Sequence, residues 1–254
     1  MRFLEPIWVA LSTYSAVPVP QFEWTGKNMK YAICWFPAVG VLCGGALFLW
    51  DILARALNIS SLCFAAAAVC VPLLITGGIH MDGYMDTVDA LSSHQPRERK
   101  LEIMKDPNCG AFAVIYCGVY LLLNLGLLYE LYEKNCVAVL CPIFLLSRAL
   151  SALCAVNLPN ARKSGMLCAY TKNTERSTAN KALGVLVFLV SVALVLICPA
   201  VGGLAVLAAL CATLCYKSMA LKVFGGVTGD TSGFFLQICE LACLTGGWIG
   251  GFLL

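Results

Sequence analysis

Apolar stretches long enough to cross a lipid bilayer alternate along this chain with polar segments that hold nearly all of its charge. Residues 7–14 are apolar but too few to span. They are followed by Val17-Pro18-Val19-Pro20 and a polar stretch with Glu23, Lys27 and Lys30, which predicts a short interfacial or re-entrant helix ending at the prolines. Spans are predicted over 33–57, 62–79, 110–129 and 136–156, the last with Arg148 inside it. The apolar run from 182 to 216 is interrupted by Pro199, Gly202 and Gly203, so it reads as two short spans joined at that break. A last span runs from 234 to the C-terminus. The fold class that follows is all-α: a polytopic membrane protein of about seven transmembrane helices plus a short N-terminal interfacial helix, one domain over 1–254.

Composition supports this pattern. Of the 254 residues 60% are hydrophobic and 12% charged, against about a quarter charged in a soluble domain. No cleavable signal peptide is evident, because Arg2 is followed at once by Glu5 and Pro6. A net charge of +3 says little about acidic partners, and no nucleic-acid partner is expected. The 15 cysteines include no CxxC pair and no Cys/His group at zinc spacing, and most lie in apolar runs, where a thiol acts as a small packing residue.

Charge placement sets an expected orientation. With seven spans, the N-terminal segment and the loops 80–108, 158–181 and 217–233 share one side. Of the 17 Lys and Arg residues, only Arg55, Lys134 and Arg148 lie elsewhere. By the positive-inside rule that side is cytoplasmic, and the expected location is a bacterial or archaeal cell (inner) membrane.

Three polar constellations fall on this side. The first, at 76–89, reads Thr-Gly-Gly-Ile-His-Met-Asp-Gly-Tyr-Met-Asp-Thr-Val-Asp. If it is helical from about residue 82, Asp82, Asp86 and Asp89 stand at i, i+4 and i+7 on one face. Clustered carboxylates repel unless a cation sits among them, and oxygen donors suit Mg²⁺; a solvated acidic helix start is the plainer reading. His80 is a candidate ligand, general base or phosphate partner, or an ordinary interfacial histidine. The second constellation is the glycine-rich 225–233. Thr228, Gly229 and Thr231 there offer N–H and hydroxyl groups to phosphate, and Asp230, with Glu240 further on, extends the candidate metal set. The third is basic. Arg148 either pairs with Glu240 or reaches an anionic substrate, while Lys105, Arg162 and Lys163 are phosphate clamps or positive-inside anchors. Together these groups suggest Mg²⁺-assisted transfer of a phosphoryl or phosphodiester group by direct displacement.

Five pieces of the sequence resemble the cobalamin synthase, or adenosylcobinamide-GDP ribazoletransferase, family. They are Val17 to Pro20 with Phe36-Pro37-Ala38-Val39-Gly40; 76–89; 99–110; Ser147-Arg148 with Ala161-Arg162; and 225–240. The resemblance implies an enzyme that joins α-ribazole, or its 5′-phosphate, to adenosylcobinamide-GDP with Mg²⁺. The ribose 5′ oxygen would displace GMP and yield adenosylcobalamin or its phosphate. The implied partners are these two substrates and the lipid bilayer, with a homo-oligomer left open. The sequence departs from the family pattern at Ala90, at Lys163-Ser164-Gly165-Met166 and at Lys105.

The competing readings are another membrane transferase with an Asp motif, of the CDP-alcohol phosphotransferase or prenyltransferase type, or a transporter. Tyr84-Met85-Asp86-Thr87 breaks the first pattern, and the Asp230 region supplies one aspartate where the second wants a full repeat. A transporter predicts charges near the bilayer midplane and internal repeats.

Overall fold

The computed structural model describes residues 5–20, 22 and 25–253. Residues 1–4, Glu23 of the predicted N-terminal segment and the last residue of the predicted final span lie outside these. The described chain forms α1 (Glu5–Tyr14), α2 (Gly26–Ala32), α3 (Pro37–Ala56), α4 (Ser61–Thr76), α5 (Ile79–Ser92), α6 (Arg97–Ile103), α7 (Ala111–Glu133), α8 (Leu140–Asn157), α9 (Met166–Lys172), α10 (Arg176–Ile197), α11 (Pro199–Met219) and α12 (Gly229–Gly250). Among the described residues the only extended pairing is an isolated parallel bridge between Asn160 and Val227.

By length and apolarity six helices among the described residues can cross a membrane, or seven if the bent pair α4–α5 is one span. The protein is therefore a polytopic all-α membrane protein. The break inside the long apolar run falls at Cys198, just before Pro199 opens α11. Gly202 and Gly203 lie within α11, so the two spans are 22 and 21 residues long rather than short.

Other boundaries differ for local reasons. A single 3-10 turn joins α2 to α3, so that span begins at Asn28 rather than at 33. α12 begins at Gly229 because Thr228 and Thr231 form a reciprocal capping box there. The polar segments 80–108 and 158–181 hold α6 and α9, seven-residue helices without the apolar run that would have announced them.

α8 is enclosed by the bundle, with 72% of its apolar stretch buried, whereas α10 is peripheral at 17%. α12 packs on α5, α7, α8 and α11. Large side chains such as Val114, Ile115 and Leu122 of α7 and Phe188 and Leu196 of α10 point outward, as lipid contact requires. α1 places Val9, Ala10 and Leu11 in the common core. All 15 cysteine thiols are free.

Candidate active site

The site is made by a bend and a helix crossing. α4 ends at Gly77 (φ 62°) and Gly78 (φ 77°), two successive left-handed residues that L side chains adopt only under strain. The chain leaves this turn at 95° to α4 and enters α5. Asp82, Asp86 and Asp89 therefore do stand on a helix, at the expected spacing.

α5 meets the start of α12 at two glycines. A Cβ on Gly83 would lie 2.8 Å from the carbonyl oxygen of Asp230 and 2.9 Å from its Cα. A Cβ on Gly233 would lie 2.9 Å from the carbonyl oxygen of His80. With no side chain between them, the backbones touch, and Asp230 in the first turn of α12 comes beside the acidic face of α5. Asp86 interacts electrostatically with Asp82, Asp89 and Asp230, and with Arg162 of opposite sign.

Arg162 is delivered by the bridge. The amide of Val227 donates to Pro159 O (2.8 Å) and that of Ala161 to Val227 O (2.9 Å), which ties the 159–161 segment to the loop before α12. Arg162 Nη1 then donates to Asp230 Oδ2 at 2.9 Å, and Nη2 to the Leu101 carbonyl of α6 at 3.2 Å.

The other sequence candidates are placed differently. Asp89 accepts from the amides of Gly110 (2.6 Å) and Ala113 (2.8 Å), capping the N-terminus of α7. Thr228 and Thr231 are buried and cap α12, each hydroxyl accepting the other's amide (3.1 and 2.8 Å), while Thr228 and the exposed Gly229 also line the same cavity as Asp82 and Asp230. Lys105 is exposed just beyond α6. It precedes Asp106, whose carboxyl is held below its usual range by hydrogen bonds from the Asn108 amide and side chain.

Arg148 and Glu240 pair with each other inside the bundle, one of the two alternatives the sequence left open. Ser147 Oγ also donates to Glu240 Oε1 at 3.0 Å. Nearby, Tyr120 donates to Gln237. Glu240 thus belongs to this inner polar layer, away from the acidic crossing. His80 lies between the two. It lines a cavity of about 30 Å³ beside Arg148 and Glu240, and also the larger one beside Asp82.

That larger cavity, about 300 Å³, is what sequence reasoning missed. Its lining includes Asp82, Asp230 and Arg162, together with Tyr14, Phe36 and Leu236 from three separate helical regions. Isolated apolar residues carry no periodic signal for a shared wall, although Phe36 lies in one of the motifs noted above. Tyr170 braces the wall, donating to Val9 O at 3.1 Å and contacting Thr13 Oγ1 at 2.8 Å. Burial pushes its hydroxyl up to about 12, against the lowering effect of Thr13, which keeps it a donor.

The donor chemistry at the crossing suits Mg²⁺. Asp82, Asp86 and Asp230 offer carboxylate oxygens. Among the described residues no three His, Cys, Asp or Glu side chains close around a point that could hold a metal ion. An open set of this kind is what Mg²⁺ uses, since it keeps several waters and is held by one or two carboxylates plus substrate phosphates.

Residues 6–248 match the cobalamin-5-phosphate synthase family. The adenosylcobinamide-GDP ribazoletransferase of Lachnoclostridium phytofermentans is 39% identical over 95% of this chain and 92% of its own. The proteins of the same description from Desulfitobacterium hafniense (34%, 98% of each chain) and Pseudomonas fluorescens (33%, 95% of this chain and 98% of that one) are also similar. No solved structure matches. With nearly the whole length matched by the family and by these relatives, the chain belongs to the cobalamin-5-phosphate synthase family.

Proposed function

We propose that this protein joins adenosylcobinamide-GDP to α-ribazole or α-ribazole 5′-phosphate, releasing GMP and forming adenosylcobalamin or its 5′-phosphate. The observation that carries this is the convergence of Asp82, Asp230 and Arg162 on the wall of one cavity, with Asp86 in electrostatic reach of all three. The relatives' names supply the substrate pair, and the site supplies groups that such a reaction needs.

A ribose hydroxyl attacks the phosphorus attached to cobinamide, the bond from that phosphorus to the oxygen bridging the two phosphorus atoms breaks, and GMP leaves with that bridging oxygen. The 5′ oxygen expected from the resemblance is blocked in the 5′-phosphate, whose product keeps that phosphate. A secondary ribose hydroxyl is therefore the nucleophile common to both ribosides. Its proton passes to a carboxylate of the cluster. Arg162 holds Asp230 in place and offers positive charge to the departing phosphate. Asp82, Asp86 and Asp230 would hold Mg²⁺, which supplies charge neutralisation to the diphosphate. We leave Asp89 and Glu240 out of that set, since the first caps α7 and the second pairs with Arg148.

The positive side of the chain is the side of this site, so we infer a cell-membrane protein whose site faces the cytoplasm. Detergent-purified protein given adenosylcobinamide-GDP, α-ribazole and Mg²⁺ is expected to release GMP and form adenosylcobalamin. Lack of GMP where a relative's enzyme turns over would sink the reading.

A further inference from the structure

The cavity has two ends of different character. Asp82 and Gly229 at the outer end are exposed, and Arg162 and Asp230 are half-buried. At the inner end Phe36, Ile33, Leu236, Ala152 and Ala155 are almost wholly buried. An aromatic group closes one side: the rings of Tyr14 and Phe36 are 4.5 Å apart, and that of His80 is 5.7 Å from Phe36 and 6.2 Å from Tyr14.

Among the described residues His80 Nε2, Thr87 Oγ1, Arg148 Nε and Arg162 Nε are buried without a hydrogen-bond partner, and of these residues His80 and Arg162 line the cavity. His80 is 5% exposed and stands between this cavity and the smaller one beside Arg148, and its Nε2 has no hydrogen-bond partner. A buried polar nitrogen without a partner is costly, so a ligand that supplies one polar atom there is favoured.

We propose that this cavity seats the aromatic base of the riboside, with His80 Nε2 meeting the base's free ring nitrogen and Ala152 and Ala155 limiting its size. The inference rests on the reaction proposed above. A cavity of about 300 Å³ is at the small end of ligand pockets, enough for a bicyclic base and far too small for a corrin macrocycle. Two bicyclic bases take part, guanine and dimethylbenzimidazole. Guanine has a carbonyl, an exocyclic amine and ring N–H groups to satisfy, more than the Ser151 hydroxyl and His80 supply among the apolar side chains of Phe36, Ile33, Leu236, Ala152 and Ala155. Dimethylbenzimidazole has two methyl groups and, once glycosylated, one free ring nitrogen acceptor. With its proton on Nε2, His80 matches that acceptor. A base in this seat turns its ribose toward Asp82, Asp86 and Asp230, where the hydroxyl must react.

The test is steady-state kinetics of the purified full chain with each substrate varied in turn. Ala155→Leu narrows the seat and is expected to raise KM for α-ribazole at least tenfold while leaving KM for adenosylcobinamide-GDP within about twofold. His80→Ala is expected to raise the riboside KM roughly tenfold, the value of one lost hydrogen bond, with partial rescue in His80→Asn. Ala152→Val serves as a milder variant if Ala155→Leu does not insert or lowers the melting temperature. Ribosides of smaller and larger bases tested on the unmodified enzyme need no variant, and a base enlarged by a fused ring should be excluded.

An unmodified enzyme that releases no GMP removes the proposed function itself. An active enzyme that accepts the enlarged base with unchanged KM overturns the seat alone. The same holds if the narrowing variants raise KM for adenosylcobinamide-GDP and not for the riboside.

Discussion

The backbone of Gly83 lies against that of Asp230, so close that a single methyl group at 83 would come within 2.8 Å of the Asp230 carbonyl oxygen. Two carboxylate-bearing helices that would otherwise repel are held together there by the absence of a side chain. Replacing Gly83 by Ala is expected to destabilise the crossing by about 1–3 kcal/mol, the usual cost of overpacking a closed contact. Because the displaced atoms are those of Asp230, GMP release should fall more than the melting temperature suggests. Activity at the unmodified level in membrane-inserted Gly83→Ala would show that the contact is not critical.

Asp82→Ala and Asp86→Ala are each expected to abolish turnover without loss of membrane insertion, checked by GMP release and by yield in the membrane fraction. Near-normal activity in both would reduce the acidic face to an ordinary helix start.

Metal removal gives a separate readout. Treatment with EDTA should stop GMP release and added Mg²⁺ should restore it. Asp230→Asn should shift the Mg²⁺ concentration giving half-maximal rate upward. An Asp230→Asn enzyme with unchanged Mg²⁺ dependence would remove Asp230 from the proposed ligands.

The buried pair behaves differently. Arg148→Leu or Glu240→Gln leaves one charge uncompensated inside the bundle, a loss of about 3–5 kcal/mol when a buried pair is broken. The expected result is a large drop in detergent melting temperature, with the Mg²⁺ dependence of any folded fraction unchanged. The double variant Arg148→Met/Glu240→Leu should recover much of the stability, because neither charge then remains buried alone. A double variant no more stable than the singles would contradict this account.

Asp89 is expected to act through α7. Asp89→Ala removes the acceptor for the Gly110 and Ala113 amides and should cost about 1 kcal/mol, the typical value of a lost cap. Exchange of the Gly110 and Ala113 amide hydrogens should quicken. Unchanged exchange would mean that the cap contributes nothing.

The acidic motif and most of the membrane spans were legible because each is written in local sequence, a 3.6-residue spacing of carboxylates and long apolar runs, whereas the run 62–79 gave the 16-residue α4 that ends in the bend to α5. The fate of Arg148 was legible only as a choice, because the pairing with Glu240 joins positions 92 residues apart. Thr228 and Thr231 looked like phosphate donors because hydroxyls beside glycines serve both roles. Only the geometry of the α12 start shows that capping takes them. The cavity wall was legible only in fragments: Phe36 and Leu236 fall in motifs noted from the sequence, but their meeting with Tyr14 and Ala152 depends on the whole bundle.

The sharp turn at Gly77 and Gly78 has a further consequence for the surrounding lipid. α4 is only 16 residues long, about 24 Å at 1.5 Å per residue, whereas a bilayer's hydrocarbon layer is about 30 Å. A rod that short cannot carry α5 to the headgroup plane unless the bilayer thins around it. On the proposed reaction, membrane thickness is therefore expected to affect turnover, and GMP release measured in vesicles of different acyl-chain length would show it.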